Sequence, residues 1–142
     1  MKEDINILDE LNKGACMGVN AITFTIEKVK DETLRKELIQ ECMNYQKIID
    51  KIKVIYPEYC VKKPHETSKM NKIMTMWGIN MNTIKDDSSS KIAEMMLQGV
   101  NMGIIEGRKL LNHKNTDEEV EKLINEYIKM QEKAVEALKK FL

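Results

Sequence analysis

Two similar stretches, KGACMGVN at residues 13–20 and QGVNMGII at residues 98–105, each place a pair of glycines one helical turn apart. A glycine inside a helix costs about 1 kcal/mol relative to alanine, yet the rest of the sequence is rich in helix-forming residues. Residues four apart lie on the same face of a helix, so each pair removes the side chains from one patch of that face. The glycines concerned are Gly14, Gly18, Gly99 and Gly103.

Two interpretations of these bare faces are open. The missing side chains let a neighbouring helix or a bulky residue approach closely, and Tyr45 and Tyr127 are candidates for that residue because both lie on apolar stripes. Alternatively, the missing side chains open a pocket for a ligand. The membrane-helix interpretation of two glycines at this spacing does not apply, because charged residues such as Lys13 and Glu27 flank the first pair.

Apolar residues recur at the helical spacing of about 3.6 along four long segments of the chain. The first two segments, at about residues 4–29 and 32–56, are separated by a joint of Lys30 and Asp31. A joint this short forces the two helices to turn back on each other. The first part of the chain therefore predicts an antiparallel hairpin of residues 4–56.

The third and fourth segments predict a second hairpin over residues 87–142. The third segment ends near Leu111, and the fourth runs from about Asp117 to the C-terminus. Thr116 and Glu119 have the three-residue spacing of a capping box, in which each side chain accepts a hydrogen bond from the backbone N–H of the other residue. We therefore expect Thr116 to cap the fourth helix.

The two hairpins resemble each other in sequence. A shift of 85 positions superposes both glycine pairs and both joints without a gap, and it gives seven identities over residues 14–47. We therefore predict one all-α domain of residues 1–142, a four-helix bundle made of two repeated hairpins that are related by a pseudo-two-fold axis. The identical pairs are Gly14/Gly99, Met17/Met102, Gly18/Gly103, Leu38/Leu123, Ile39/Ile124, Glu41/Glu126 and Gln46/Gln131.

The segment of residues 57–86 has no counterpart in this repeat. Pro57 and Pro64 bracket a linker, and a fifth amphipathic stripe follows it. About 18 helical residues span about 27 Å, which is enough to carry the chain from one end of the bundle to the other and to make the second and third helices parallel. The extra helix either breaks near the serines of residues 86–90 or continues into the third helix, and we favour the break.

The connecting segment also contains the one tryptophan and a concentration of methionines. Methionine fills irregular gaps in cores and is common at adaptable binding surfaces, so the stripe is either core packing or a surface for a second copy or another partner. Thioether ligation of a soft metal is a third interpretation, although no cysteine or histidine repeats beside the stripe. The predicted members of the interaction surface are Met70, Met74, Trp77 and Met81.

The composition limits the classes of function. Basic and acidic residues balance to a formal net charge of zero, so no overall positive field favours nucleic-acid binding. No apolar run approaches the roughly 20 residues of a membrane span, and the N-terminus lacks a signal-peptide core. We expect a cytoplasmic protein with neither nucleic-acid nor membrane partners. Three widely spaced cysteines, at positions 16, 42 and 60, predict neither a disulfide framework nor a zinc knuckle.

Two related hairpins joined by a long crossing segment resemble the ferritin-like fold. More narrowly, several stretches resemble a group of bacterial ferritin-like proteins related to domains of unknown function, and the resemblance covers nearly the whole chain. It implies the fold, and it implies no specific activity. The stretches that carry it are ELNKGACMG at 10–18, MNT at 81–83, SKIAEMMLQGVNMGII at 90–105 and MQEKAVEALKKFL at 130–142.

The wider ferritin-like superfamily implies a two-metal carboxylate site, with a Glu on each of two helices and a Glu-x-x-His on each of the other two. This sequence departs from that pattern. Its two histidines are His65 and His113, and the residues three positions before them are Lys62 and Leu110. The di-iron chemistry of the superfamily is therefore not expected here.

Three carboxylates lie on or beside the apolar stripes, at Glu41, Glu106 and Glu126. A buried carboxylate must be paired, protonated or bound to a cation, and oxygen ligands at one level of a bundle suit a hard cation. Pairing with lysine, arginine or tyrosine, or contact with solvent, is the other interpretation. The metal interpretation predicts an iron or manganese site made of these three residues; otherwise we expect no cofactor.

The sequence contains no nucleophile motif and no phosphate-binding loop, and nothing in it requires a cysteine and a histidine to meet. Catalytic residues are therefore not predicted. We expect a non-enzymatic bundle protein that acts through self-association, as a homodimer, or through a protein partner. The alternative is a divalent-metal binding or storage protein that uses the three carboxylates.

Overall fold

The computed structural model of the chain describes residues 2–60, 74–80, 84–112 and 116–142. Within these ranges the regular structure consists of helices, so the all-α prediction is confirmed. Short 3₁₀ helices follow α1 and α2, at Ile26–Lys28 and Tyr56–Glu58, and residues 74–80 form a further helical stretch that we name the connecting helix. The four long helices are α1 (Lys2–Thr25), α2 (Glu32–Ile55), α3 (Ser89–Leu111) and α4 (Glu118–Lys139).

Hydrogen bonds to side chains fix where α2 and α3 begin. The Asp31 carboxylate accepts from the backbone N–H of Leu34 at 3.2 Å and from that of the residue before it at 2.8 Å. These bonds satisfy two donors that the start of a helix leaves unpaired. The Ser88 hydroxyl accepts from the Lys91 N–H at 3.2 Å in the same way. Residues 84–88 are not helical, so the break predicted near the serines is confirmed.

The start of α4 differs from the predicted capping box. The N-cap is Asp117 rather than Thr116, and its side chain makes no capping bond. Its carboxylate accepts instead from the Tyr59 hydroxyl at 2.8 Å, and its backbone N–H donates to Asp4 at 3.0 Å. The prediction for Thr116 is therefore wrong, because contacts with other parts of the chain, which local spacing does not reveal, hold this helix end.

Each long helix contributes an apolar stripe to one buried cluster. Burying a leucine or isoleucine side chain contributes about 1.5–3 kcal/mol, so this cluster is the main source of stability. The packing of α4 against α3 and of α1 against α2 is extensive, whereas α1 and α3 make few contacts with each other. The largest fully buried apolar side chains are Leu8, Leu11, Leu34, Leu38, Ile52, Ile92, Ile124, Ile128 and Leu138.

Contacts at both ends show that α1 and α2 run antiparallel. The Arg35 guanidinium, near the start of α2, donates to the carbonyl of Ile26 just after α1, at 3.0 Å. The Tyr56 hydroxyl, just after α2, donates to Asp9 near the start of α1, at 2.8 Å. The short joint at residues 30–31 therefore closes a hairpin.

Helix α2 also runs antiparallel to α4. The Tyr45 hydroxyl donates to Gln131 Oε1 at 3.0 Å in the middle of the bundle. Lys51, further along α2, forms an ion pair with Glu126, which lies earlier on α4. The two contacts fix opposite directions for the two helices.

Helix α3 is antiparallel to α4 as well, because Gly103 lies against Gln131 whereas Gly107, further along α3, lies against the earlier residue Ile128. Since α2 and α3 both run opposite to α4, they are parallel to each other. The chain of residues 56–88 therefore joins the end of α2 to the start of α3 at the other end of the bundle.

Burial repeats between the two halves of the chain, but not at one offset. Buried positions recur 85 residues apart on α1 and α3 and 86 residues apart on α2 and α4, and the N-caps Asp31 and Asp117 share the second offset. The gapless shift of 85 does not extend to the second helix, since Ile39 is 45% exposed and Ile124 is 0% exposed. The buried pairs are Ile7/Ile92, Leu8/Ala93, Leu11/Met96, Ala15/Val100 and Ile22/Gly107, then Leu34/Val120, Leu38/Ile124, Glu41/Tyr127, Tyr45/Gln131, Ile48/Ala134 and Ile52/Leu138.

Candidate functional site

A partly enclosed cavity of about 340 Å³ lies between α1 and α3, and both glycine pairs line it. Tyr45 of α2, together with Tyr127 and Gln131 of α4, forms the buried side of this cavity. Among the described residues, methionines and a tryptophan make up much of the remaining apolar lining, and three charged side chains also line the cavity. These further lining residues are Met17, Met74, Trp77, Met96 and Met102, with Glu10, Lys13 and Glu106.

Tyrosines of other helices account for the glycines of α1. A Cβ atom on Gly18 would lie 2.6 Å from the ring of Tyr45, and a Cβ atom on Gly14 would overlap the hydroxyl of Tyr127. Neither separation is tolerated without movement of the ring. The first glycine pair thus lets two tyrosine side chains pack directly against the backbone of α1.

The two predicted glycines of α3 differ from each other. A Cβ atom on Gly103 would overlap the side-chain amide of Gln131. The nearest atoms to a Cβ atom on Gly99 would belong to the ring of Trp77, at 3.9 Å, which is an ordinary contact distance. Gly103 is therefore needed for close packing, whereas Gly99 borders open space at the edge of the cavity.

Hydrogen bonds link the polar side chains on the buried side of the cavity. The Tyr45 hydroxyl donates to Gln131 Oε1 at 3.0 Å, and Gln131 Nε2 donates to the backbone carbonyl of Tyr127 at 3.2 Å. The two tyrosine rings meet edge to face, with centroids 6.3 Å apart. Burial is the main cause that raises the pKa of both hydroxyls, so both are protonated donors at neutral pH.

Two neighbours act in opposite directions on the pKa of Tyr127. The Gln131 amide lies close enough to the hydroxyl to lower its pKa, whereas the Glu106 carboxylate raises it. Among the hydrogen bonds between described residues, none has the Tyr127 hydroxyl as donor. This side chain is 3% exposed and lines the cavity, so its hydroxyl is a hydrogen-bond donor at the cavity wall.

The connecting helix turns Met74 and Trp77 towards the bundle. Met74 is buried and Trp77 is half-buried, both line the cavity, and the Trp77 Nε1–H donates to Thr25 Oγ1 at 3.4 Å. The exposed apolar side chains of this helix are instead Met76 and Ile79. Of the predicted interaction surface, the two described residues therefore lie on the inner side of the helix, and the other two, Met70 and Met81, lie outside the described residues.

The three carboxylates of the predicted metal site lie in different places. Glu106 lines the cavity and pairs with Lys109 at 3.5 Å. Glu126 lines a separate pocket between α2 and α4, where it pairs with Lys51. Glu41 is buried and lines neither space. Within the described part of the chain, no group of three acidic, histidine or cysteine side chains is arranged to hold a metal ion.

Glu41 is an unusual core residue because it is 2% exposed and, apart from the side chain of Glu37, its carboxyl oxygens have no hydrogen-bond partner among the described residues. Burial raises the pKa of this carboxyl to about 9, with a smaller contribution from the nearby carboxyl of Glu37. Glu41 is therefore neutral at physiological pH, as expected for a carboxyl without a compensating partner.

Two features of the site were not singled out from the sequence. Gly107 is buried and continues the glycine row of α3, since it lies four residues after Gly103 and eight after Gly99. That spacing was available as a signal. The bond from Trp77 to Thr25 joins residues 52 positions apart in sequence, and no local pattern identifies such a contact.

Comparisons of this chain with protein-family models, with curated proteins and with solved structures find no match. None of the described helices combines the length and the apolar character that a membrane span needs. The function must therefore be inferred from the geometry of the cavity and of the surfaces around it.

Alanine substitutions at two glycines are expected to have opposite effects on stability. Gly18→Ala should lower the free energy of unfolding by about 1–3 kcal/mol, because the new Cβ atom overlaps the Tyr45 ring. Gly99→Ala should leave it unchanged or raise it by up to about 1 kcal/mol, because alanine favours the helix and meets no close neighbour. Urea unfolding of the two variants measures both values, and equal losses at both sites would contradict this account of the glycines.

Replacing Glu41 should change how stability depends on pH. The folded state holds a proton on Glu41 that the unfolded state releases, so its contribution is complete below the ordinary pKa of 4.5 and is lost as the pH rises towards about 9. Glu41→Gln removes this titration. Between pH ~5 and ~8 the wild type should lose roughly 3–4 kcal/mol more unfolding free energy than the variant, because stability falls by about 1.4 kcal/mol per pH unit between the two pKa values.

Urea unfolding at several pH values provides the measurement. The matched control is Glu121→Gln, which makes the same change on the exposed face of α4 and should keep the slope of the wild type. If Glu41→Gln and wild type lose stability in parallel, the buried neutral carboxyl is not the source of the pH dependence.

Proposed function

We propose that this protein is a non-enzymatic helical bundle that binds a small, mostly apolar molecule in the cavity between α1 and α3. The observation that carries the proposal is the cavity itself, which lies where the walls of two facing helices carry glycines. Binding sites for small molecules occur between the helices of bundles and have mostly apolar walls with a few polar groups. The tyrosines and glutamine on the buried side provide those polar groups here.

The size of the cavity limits the ligand. Its volume of about 340 Å³ is at the lower end of the range for ligand pockets. At about 30 Å³ for each water-sized group, it holds about 11 such groups. Met17, Met96 and Met102 add flexible side chains that adapt to the shape of an apolar ligand. We infer a ligand the size of a small bicyclic molecule.

Binding without catalysis is supported by the ionisable groups around the cavity. Both tyrosine hydroxyls have raised pKa values and stay neutral. Lys13 pairs with Glu10 at 2.8 Å, and Glu106 pairs with Lys109 at 3.5 Å. A general base must lie within hydrogen-bonding reach of a nucleophile or of a substrate proton. The charged groups here are instead held in ion pairs.

We further propose that the bundle is ferritin-like and arose by duplication of one hairpin. The support is the parallel direction of α2 and α3, which a long crossing connection between two antiparallel hairpins requires, and the repetition of buried positions at offsets of 85 and 86 residues. On this proposal Tyr45 and Gln131 are equivalent positions that bond to each other across the pseudo-two-fold axis.

A second candidate function is self-association through the outer face of the connecting helix, with a second copy of the chain as the partner. Met76 and Ile79 are 64% and 56% exposed, and their three-residue spacing places them on one side of the helix. Phe24, which is 47% exposed, lies beside Gly78 of the same helix. The formal net charge of zero gives two copies no long-range repulsion to overcome.

Binding or storage of iron or manganese stays an alternative proposal. Its support is the buried carboxyl of Glu41, because a cation could stabilise the charged form that burial disfavours. Measurement of the metal content of the purified protein tests it. A metal-free protein whose melting temperature does not respond to added Fe²⁺ or Mn²⁺ would remove this alternative.

Filling the cavity should abolish ligand binding without unfolding the bundle. Gly99→Leu adds a side chain beside Trp77, where a Cβ atom meets no contact closer than 3.9 Å. The variant should therefore stay folded and lose at least about tenfold in affinity for naphthalene, a probe of suitable size, because the probe and the leucine compete for one space. Isothermal titration calorimetry measures the affinity.

The control for this variant is Gln98→Leu, which adds a leucine to the adjacent exposed position of α3. Gln98→Leu should bind naphthalene as the wild type does. Equal binding by Gly99→Leu and wild type would place the probe outside the cavity, and no binding by the wild type would contradict the proposed function.

The candidate homodimer is tested by light scattering coupled to size exclusion. If the outer face of the connecting helix forms the contact, the double variant Met76→Asp, Ile79→Asp should be a monomer. At the interface its carboxylates would lose their hydration and would lie opposite the same carboxylates of the second copy. The control is Val54→Asp, which changes a 77% exposed residue on α2. A wild-type protein that is monomeric at every concentration tested would refute this candidate.

A further inference from the structure

The Tyr127 hydroxyl gives the cavity a specific chemical preference. It lies on the cavity wall in a side chain that is only 3% exposed, and it makes no hydrogen bond as donor to a described residue. The Gln131 side chain is its hydrogen-bonding neighbour among the described residues, and the cavity lies beside it. A hydroxyl can accept from one group and donate to another, so an acceptor atom on a bound molecule could receive its hydrogen.

The neighbouring polar groups leave Tyr127 as the uncommitted donor of this cluster. The Tyr45 hydroxyl donates to Gln131 Oε1 at 3.0 Å, and Gln131 Nε2 donates to the Tyr127 carbonyl at 3.2 Å. The Gln131 amide also lies close enough to the Tyr127 oxygen to lower the pKa of that hydroxyl. The hydroxyl oxygen of Tyr127 thus has a donor beside it, whereas the hydroxyl hydrogen has no acceptor among the described residues.

The charges around the cavity argue against an anionic ligand. Among the described residues that line it, Glu106 and Glu10 are acidic and Lys13 is basic, and Lys13 is already paired with Glu10. The Glu106 carboxylate is also near enough to raise the pKa of Tyr127, and it would repel a negative group at that hydroxyl. A cationic ligand would present donors to a hydroxyl that needs an acceptor.

We propose that the cavity selects a small neutral molecule with one hydrogen-bond acceptor oxygen, which the Tyr127 hydroxyl binds while the apolar remainder lies among Trp77 and the methionines. This inference rests on the proposed binding function and specifies the chemistry of its ligand. Tyr127 is a specificity-determining residue under this proposal, and the glycines provide the space for the ligand.

Three probes of nearly the same shape separate the contributions. 2-Acetylnaphthalene carries a carbonyl acceptor, 2-isopropenylnaphthalene replaces that oxygen by a CH₂ group, and 2-naphthoate carries a negative charge. Calorimetric titration of the wild-type protein should give about tenfold tighter binding of the ketone than of the alkene, the effect of one neutral hydrogen bond. The naphthoate should bind more weakly than either.

The variant Tyr127→Phe removes only the hydroxyl. The variant should bind the ketone and the alkene with about equal affinity, and its affinity for the alkene should equal that of the wild type. Its free energy of unfolding without a probe should fall by no more than about 1 kcal/mol, since the contact with the Gln131 amide is the hydrogen-bonding contact with a described residue that the hydroxyl loses. Tyr59→Phe is the matched control, because Tyr59 bonds to Asp117 and Glu119 at the start of α4 and does not line the cavity; it should keep the preference of the wild type.

The possible failures are distinguishable. Equal binding of ketone and alkene by the wild type would overturn the role of Tyr127 while the binding function stands. Tightest binding of the naphthoate would overturn the preference for a neutral ligand. Absence of binding by all three probes would overturn both this inference and the proposed function.

Discussion

Three large polar side chains fill the middle of the bundle, and the architecture around them depends on that packing. Tyr45 and Tyr127 lie against the backbone of α1 at Gly18 and Gly14, and Gln131 lies against α3. Rings of this size cannot reach a helix backbone past ordinary side chains, so the glycines and the polar cluster require each other. The glycines lower the intrinsic stability of two helices, and the buried rings and the bond from Tyr45 to Gln131 offset that loss.

The same packing explains where the cavity lies. The glycines of α1 and α3 contact side chains from α2 and α4, and the two glycine-bearing helices make few contacts with each other. The space between them is closed in part by Met74 and Trp77 of the connecting helix. The glycines therefore serve close packing and also border a cavity. They let side chains of α2 and α4 pack closely on the buried side, and the space between α1 and α3 remains open. A cavity with apolar walls lowers stability, and a ligand that restores the missing contacts would recover part of that loss.

The sequence predicted those features that short-range patterns encode. Helix periodicity and the joint at Lys30 and Asp31 predicted α1 and α2 closely, and the serines before α3 predicted its start. The cap of α4 was not predictable from spacing, because Asp117 is held by Asp4 and Tyr59, which are distant in sequence. The offset between α2 and α4 shows the same limit, because the identities fall at 85 whereas burial recurs at 86. One residue turns a helix by about 100°, and only the packed structure shows which side of each helix is buried.

The proposed duplication also connects two buried polar side chains of the core. Glu41 and Tyr127 are 86 residues apart, which is the offset that matches burial between α2 and α4, so they occupy equivalent positions in the two halves. Both are buried, and each has one side chain as its hydrogen-bonding neighbour, Glu37 for the Glu41 carboxyl and Gln131 for the Tyr127 hydroxyl. Only Tyr127 lines the cavity. A carboxyl closed off from the cavity must be neutral to be tolerated, whereas a hydroxyl beside the cavity is a donor that a ligand can use. Under the proposed duplication, one equivalent position of the two halves carries polar groups in different surroundings, and only the group beside the cavity could contact the proposed ligand.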